Sequence, residues 1–121
     1  MRRRVFIVED SPQTKAAISD GLQKLNYEIV GVAESESDAK AWLDLNPDGW
    51  DVAIVDLFLR EGTGAGVVRY SRRKGLSQAM VIVTNYFIPD IVIHSRNLGA
   101  DQVLKKSDDL SELWDYLNQS L

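Results

Sequence analysis

The chain has 121 residues, of which 45% are hydrophobic and 26% charged, and it contains no cysteine. This length predicts one domain over residues 1–121, and the lack of cysteine excludes disulfides and thiolate metal sites. The net charge of −4 argues against a protein that coats nucleic acid or an anionic membrane. No stretch approaches the roughly 18 apolar residues of a membrane span, and the first apolar run is too short for a signal peptide, so a cytoplasmic location is expected.

Short apolar runs alternate along the chain with segments of helical spacing. The runs are rich in β-branched residues and contain no regular polar alternation, which predicts strands covered on both faces. The predicted strands are residues 5–8, 29–33, 52–55, 80–83 and 103–104.

The segments between the runs predict helices. Ser11 followed by Pro12 predicts the start of the first helix, and Ser37 predicts the N-cap of the second. The third helix runs from about 66 to 74 and the fourth from about 89 to 98, each ending at a glycine. A cap at Ser107 or Asp108 predicts the start of the last helix.

Apolar residues at helical spacing are expected to face the core. They are Ile18, Leu22 and Leu25 in the first helix, Ala41, Trp42 and Leu45 in the second, and Leu110, Leu113, Trp114, Leu117 and Leu121 in the last. The cationic residues Arg69, Arg72, Arg73 and Lys74 are interpreted as solvated groups at a helix C-terminus, where the helix dipole favours positive charge.

Five strand–helix units predict an α/β fold, with a doubly wound parallel sheet and helices on both faces. Ligands of such sheets bind beyond the carboxyl ends of the strands. The polar residues at those ends are Glu9 and Asp10 after the first strand, Asp56 after the third, Thr84 after the fourth, and Lys105 and Lys106 after the fifth.

This set of groups predicts a particular chemistry. Three neighbouring carboxylates repel one another unless a cation neutralises them, and Mg²⁺ prefers a few carboxylates together with waters and phosphate oxygens. A lysine adds positive charge directed at an anion. The sequence therefore predicts a site for Mg²⁺ and a phosphoryl group, with Asp56 as the nucleophile that becomes an aspartyl phosphate.

Four segments resemble the receiver domain of two-component response regulators, over essentially the whole chain. They are VFIVEDSP at 5–12, DVAIVDLFLREGTGAGVV at 51–68, VIVTN at 81–85 and LGADQVLKKS at 98–107. The resemblance implies a flavodoxin-like five-stranded sheet in the order 2-1-3-4-5. It also assigns the lysine function to Lys106, seven residues after Gly99, rather than to Lys105.

The resemblance implies site residues as well. Asp56 would accept a phosphoryl group from a histidine kinase or phosphotransfer protein. Asp10, Asp56 and the backbone carbonyl of Phe58 would bind Mg²⁺ directly, and Glu9 would act through a water. Lys106 would pair with Asp56 and then with the phosphoryl oxygens, toward which the Thr84 hydroxyl would move.

A protein of this kind is expected to be a binding switch with slow autodephosphorylation and not an enzyme. Its expected partners are the phosphoryl donor and a downstream protein of unknown identity, with no direct binding of nucleic acid or membrane, and the resemblance allows a phosphorylation-dependent dimer.

The chain departs from the usual family pattern at several positions. Glu9 replaces an aspartate, Asn85 replaces a small residue, Val103 replaces an aromatic residue, and Ser107 replaces a proline, which leaves open whether the Lys106–Ser107 peptide is cis.

Three alternatives remain at this stage. One is a receiver-like module that needs no phosphate, and another is the receiver fragment of a longer, for example DNA-binding, regulator. The third is an aspartate-nucleophile phosphohydrolase, which is disfavoured because Phe58 stands where that chemistry usually places a second aspartate.

Overall fold

In the computed structural model, which describes residues 2–120, five strands and five helices alternate along the chain. The strands are β1 (Arg4–Val8), β2 (Glu28–Ala33), β3 (Val52–Asp56), β4 (Ala79–Thr84) and β5 (Gln102–Lys105). The helices are α1 (Pro12–Lys24), α2 (Glu36–Leu45), α3 (Gly64–Arg73), α4 (Pro89–Asn97) and α5 (Ser111–Ser120). Every predicted strand and helix is therefore present, with boundaries that differ by a few residues.

The strands form one parallel sheet in the order β2-β1-β3-β4-β5. Alternate residues of each central strand point to opposite faces. On one face, Val5 and Ile7 pack with apolar residues of α1 and α5. On the other, Phe6 and Val8 pack with residues of α2, α3 and α4. This arrangement confirms the predicted doubly wound α/β fold with helices on both faces.

The prediction that all five strands are covered on both faces is wrong for β2. This strand lies at the sheet edge, and Val32 is 48% exposed. An apolar run by itself does not distinguish an edge strand from a central one.

The start of α2 also differs from the prediction. The Ser35 hydroxyl caps this helix by accepting the Asp38 N–H at 3.1 Å, whereas Ser37 donates to Glu61. The buried side of the helix is set by its packing on the sheet, and residues four apart, such as Ala39 and Leu43, share one side. The core therefore receives Ala39 and Leu43.

The apolar positions predicted for α2 are accordingly only partly correct. Leu45 is 82% exposed and Ala41 is also exposed, but Trp42 is partly buried and stacks on Phe6 at a centroid distance of 4.0 Å. In α1, Ile18 and Leu22 are buried as predicted, whereas Leu25 lies at the C-cap and is 36% exposed.

Two further helix starts differ from the prediction. Helix α3 begins at Gly64, where the Thr63 hydroxyl accepts the Gly66 N–H at 3.1 Å. Helix α5 begins at Ser111, later than a cap at Ser107 or Asp108 predicts, because the Asp109 carboxylate accepts the Ser111 N–H at 3.1 Å.

The apolar face of α5 agrees with the prediction where it is described. Leu110, Leu113 and Leu117 are buried and Trp114 packs against them, while the predicted core residue Leu121 lies outside the described residues.

Arg72 is not the solvated cation that its position predicts. Its guanidinium donates to the carbonyls of Gly99, Leu76 and Gln78 at 2.9 Å each, and it pairs with Asp101 at 2.8 Å. These groups lie at the amino-terminal ends of β4 and β5, so Arg72 joins α3 to the sheet edge opposite the predicted site.

Within residues 2–120, no helix has both the length and the apolar character needed to cross a bilayer.

Candidate functional site

The sheet order brings the predicted acidic residues together. Strands β1 and β3 are neighbours, so Glu9 and Asp10 after β1 lie beside Asp56 at the end of β3. One carboxylate oxygen from each of the three residues lies within 4.8 Å of the other two. Glu9 and Asp56 are 1% and 8% exposed, so two of these carboxylates are buried.

Lys106 reaches this cluster from the loop after β5. Its Nζ lies 2.7 Å from Glu9 Oε1 and 3.4 Å from Asp56 Oδ2, and its backbone N–H donates to the carbonyl of Thr84 at 2.8 Å. Lys105 is exposed. The structure therefore places Lys106 at the cluster, and its shorter contact is to Glu9.

The pKa values of the buried groups follow from these contacts. Burial of the Asp56 carboxyl and the neighbouring Glu9 charge raise the pKa of Asp56 to about 7, against a downward influence from Lys106. Burial acts to lower the pKa of Lys106, but the hydrogen bond to Glu9 and the Asp56 charge outweigh it and raise that pKa. The site therefore holds more negative charge than Lys106 alone neutralises.

The loop between β3 and α3 covers the acidic cluster. Asp10 Oδ2 accepts the backbone N–H of Arg60 at 2.6 Å, and Phe58 pairs with Thr63 in an antiparallel bridge. The Phe58 side chain is 49% exposed. Sequence reasoning missed the contact to Arg60 because the donor is a backbone group, which leaves no side-chain signal.

Thr84 lies buried at the end of β4, with its hydroxyl accepting the backbone N–H of Tyr86 at 2.9 Å. The ring of Tyr86 meets the ring of Phe58 edge to face, with the centroids 5.0 Å apart. Asn85, between Thr84 and Tyr86 in the sequence, is exposed and borders a cleft next to Lys106. Every peptide bond in residues 2–120 is trans, including Lys106–Ser107.

The response regulator receiver domain model matches residues 5–118. The chain belongs to this family. Receiver domains bind Mg²⁺ at an acidic cluster, and this receiver has such a cluster in Glu9, Asp10 and Asp56. Members interact with kinases or phosphotransfer proteins and with downstream targets, and are typically not enzymes.

The receiver is similar to parts of longer proteins. It is 33% identical over 109 residues to a cyclic di-GMP phosphodiesterase of Thermotoga maritima, covering 90% of this chain and 28% of that protein. It is 30% identical over 113 residues to the transcriptional regulatory protein PdtaR of Mycobacterium tuberculosis, covering 92% of this chain and 53% of PdtaR. The chain thus spans about half or less of the length of these two relatives.

The fold has close counterparts among solved structures. The CheX–CheY–BeF3–Mg²⁺ complex from Borrelia burgdorferi contains a chain that superposes with a TM-score of 0.89 at 15% identity, over 95% of this receiver and 86% of that chain. At this identity, the likeness shows the fold alone.

Proposed function

We propose that this receiver accepts a phosphoryl group on Asp56 from a histidine kinase or a phosphotransfer protein, and that phosphorylation switches its binding to a downstream protein. The observation that carries the proposal is the approach of three carboxylates to within 4.8 Å, with the Lys106 ammonium 3.4 Å from Asp56. Two of these carboxylates are buried, which costs stability unless cations and hydrogen bonds compensate their charge.

The residues present fit Mg²⁺. Its preferred ligands are a few carboxylate oxygens, and Asp10 and Asp56 would hold it together with the Phe58 carbonyl. Both oxygens of Glu9 already accept hydrogen bonds, from Lys106 at 2.7 Å and from the Ser11 N–H at 3.1 Å, so Glu9 suits a contact through water. When bound, Mg²⁺ supplies positive charge that offsets the carboxylates and the phosphoryl oxygens.

The residues of the chain then have separate functions in the transfer. A carboxylate oxygen of Asp56 forms the new O–P bond as the P–N bond to the donor histidine breaks, and the imidazole keeps the electron pair. Asp56 must be ionised to attack, and the ammonium of Lys106 favours that state. Lys106 afterwards pairs with the phosphoryl oxygens.

The Thr84 hydroxyl couples the site to the loop that follows β4. It accepts the Tyr86 N–H, and its own proton is available to a phosphoryl oxygen. A shift of Thr84 toward the phosphoryl group moves residues 85–88, which include exposed Tyr86, Phe87 and Ile88. We propose that the receiver works as a binding switch in the cytoplasm, without enzymatic turnover.

Labelling by a small acyl phosphate with Mg²⁺, followed by intact-mass measurement, tests the proposal. Wild type should gain one phosphoryl group, and Asp56→Asn should gain none because an amide is not a competent nucleophile. The exposed Asp90→Asn is a matched control and should label as wild type does. Equal labelling of wild type and Asp56→Asn would exclude Asp56 as the acceptor, and an unlabelled wild type would favour a phosphate-independent module.

A further inference from the structure

Glu36 lies in the first turn of α2, outside the acidic cluster, and makes two contacts to the β3–α3 loop and one within α2. Its Oε1 accepts the backbone N–H of Thr63 at 2.8 Å, and its own backbone N–H donates to the carbonyl of Glu61 at 3.0 Å. Its Oε2 pairs with Lys40 at 2.6 Å. The Lys40 and Thr63 hydrogen bonds lower the pKa of Glu36. This carboxylate therefore fastens the end of the β3–α3 loop to α2.

That loop, residues 57–63, carries groups of the phosphoacceptor site. The Phe58 carbonyl is a proposed Mg²⁺ ligand, and the Arg60 N–H donates to Asp10. The bridge between Phe58 and Thr63 closes the loop on itself. Because Glu36 holds Thr63, the bridge also restrains Phe58. Asp10 binds the same loop at Arg60.

Two glycines make room for the Glu36 side chain. A Cβ at Gly66 would lie 2.5 Å from both carboxylate oxygens of Glu36, and a Cβ at Gly62 would overlap its Cβ. Gly62 also has a φ of +82°, which disfavours any other residue. Gly62 and Gly66 therefore leave the space that the Glu36 side chain occupies, whereas a Cβ at Gly64 would meet the Asp56 carbonyl oxygen instead.

We propose that Glu36 is a positioning residue that sets the Mg²⁺ affinity of the receiver by holding loop 57–63 in its binding geometry. The inference rests on the proposed function, since it concerns the same site. Groups that orient metal ligands typically change metal affinity by about 10-fold or more when they are removed. We expect Glu36→Ala to weaken Mg²⁺ binding about tenfold, with a labelling rate at saturating Mg²⁺ close to that of wild type.

Calorimetric titration of the full chain with Mg²⁺ tests this proposal, with three comparisons. Glu36→Gln keeps an oxygen for the Thr63 N–H and should stay within about threefold of wild type. Lys40→Met removes the ion pair but not the Thr63 bond, and should also bind Mg²⁺ as wild type does. If either variant weakens Mg²⁺ binding as much as Glu36→Ala does, the loss of affinity is explained by the change in charge. The proposal is then overturned.

Gly66→Ala provides a second test that does not alter Glu36 itself. The added methyl group displaces the carboxylate, while alanine favours the helix, so Mg²⁺ affinity should fall without loss of melting temperature. In the Glu36→Ala background, Gly66→Ala should change Mg²⁺ affinity by no more than about twofold, because both substitutions remove the same contact between Glu36 and Thr63.

Two further results distinguish failure of this inference from failure of the proposed function. A wild type that binds Mg²⁺ and is labelled, with Glu36→Ala binding Mg²⁺ equally well, overturns the positioning function of Glu36 alone. A wild type that neither binds Mg²⁺ nor accepts a phosphoryl group overturns the proposed function, and this inference with it.

Discussion

Glu9 takes the closer contact with Lys106, at 2.7 Å against 3.4 Å for Asp56. A glutamate is one methylene longer than the aspartate more usual at this position, and it spans the distance to the lysine while keeping a bond to the Ser11 N–H. Asp56 therefore shares its only close cation among the described residues with a second buried carboxylate. Burial of Asp56, together with the neighbouring Glu9 charge, therefore raises its pKa despite Lys106.

The raised pKa predicts how stability depends on pH in the metal-free protein. Because the pKa of Asp56 is about 7 in the folded state against 3.8 ordinarily, the folded chain binds more protons than the unfolded chain between these values. The free energy of unfolding contributed by this group therefore falls as pH rises through that window and levels off above it. Asp56→Asn removes the effect.

We expect Asp56→Asn to stabilise the protein by roughly 2 kcal/mol more at pH 8 than at pH 5, since one pKa unit corresponds to about 1.4 kcal/mol. Urea unfolding in EDTA at both values measures the difference. The exposed Asp90→Asn should show no such dependence. A gain for Asp56→Asn that is the same at both pH values would contradict the assignment of the raised pKa to Asp56.

At the scale of elements, the loops after β3 and β4 meet through two aromatic rings. Phe58 and Tyr86 are 49% and 60% exposed and touch edge to face beside the acidic cluster. Hydrolysis of an aspartyl phosphate needs a water in line with the phosphorus, and neither ring orients water as an amide or carboxylate does. We therefore expect slow autodephosphorylation.

Replacing Phe58 by asparagine should speed this loss about tenfold, equivalent to roughly 1.4 kcal/mol in the barrier. The measurement is the decay of labelled phosphoprotein in Mg²⁺ buffer. Phe87→Asn, which changes an exposed ring outside this contact, is the control and should decay as wild type does. Identical decay of Phe58→Asn and wild type would show that the rings do not limit access of water.

Arg72 joins α3 to the segments that precede β4 and β5, in addition to the apolar packing of α3 on the sheet. Arg72→Ala leaves three carbonyl oxygens and Asp101 without this donor, and should lower the free energy of unfolding by about 2 kcal/mol. The neighbouring, exposed Arg73→Ala should change it by less than about 0.5 kcal/mol. Urea unfolding compares the two. Mg²⁺ affinity should be unchanged in both, because Arg72 lies at the opposite edge of the sheet.

At the scale of the whole molecule, the loop after β4 links the phosphoacceptor site to the surface, because the Thr84 hydroxyl accepts the Tyr86 N–H. Val103 in β5 is 2% exposed and lies within the core, so no ring at that position is available to move between buried and exposed states. Tyr86 and Phe87 are exposed in the loop joined to Thr84. We expect that loop to report phosphorylation.

NMR of the free protein and of its complex with a phosphoryl mimic and Mg²⁺ tests this expectation. The largest changes in amide chemical shift should fall at residues 84–90, with smaller ones at 101–106. Changes centred on 101–106 with a quiet loop would refute it. Asp56→Asn, which should not form the mimic complex, controls for nonspecific effects.

The sequence alone determined the order of the elements, the parallel sheet and the identity of the clustered residues. β-Branched runs and polar residues directly after them are local features, and the carboxyl ends of parallel strands necessarily share one edge of the sheet. Glu9, Asp10, Asp56 and Thr84 could therefore be named without coordinates, while the resemblance to the receiver family chose Lys106 over Lys105.

Tertiary structure decided the contacts between distant segments. Two serines fit the cap of α2, and only the folded chain selects Ser35, whose hydroxyl accepts the Asp38 N–H while Ser37 donates to Glu61. The pairing of Lys106 with Glu9 depends on the distance between two loops. Arg72 and Glu36 likewise meet their partners only after the helices pack. Those partners are mainly backbone carbonyls and amides, which every residue has, so the sequence does not show which of them will be bonded.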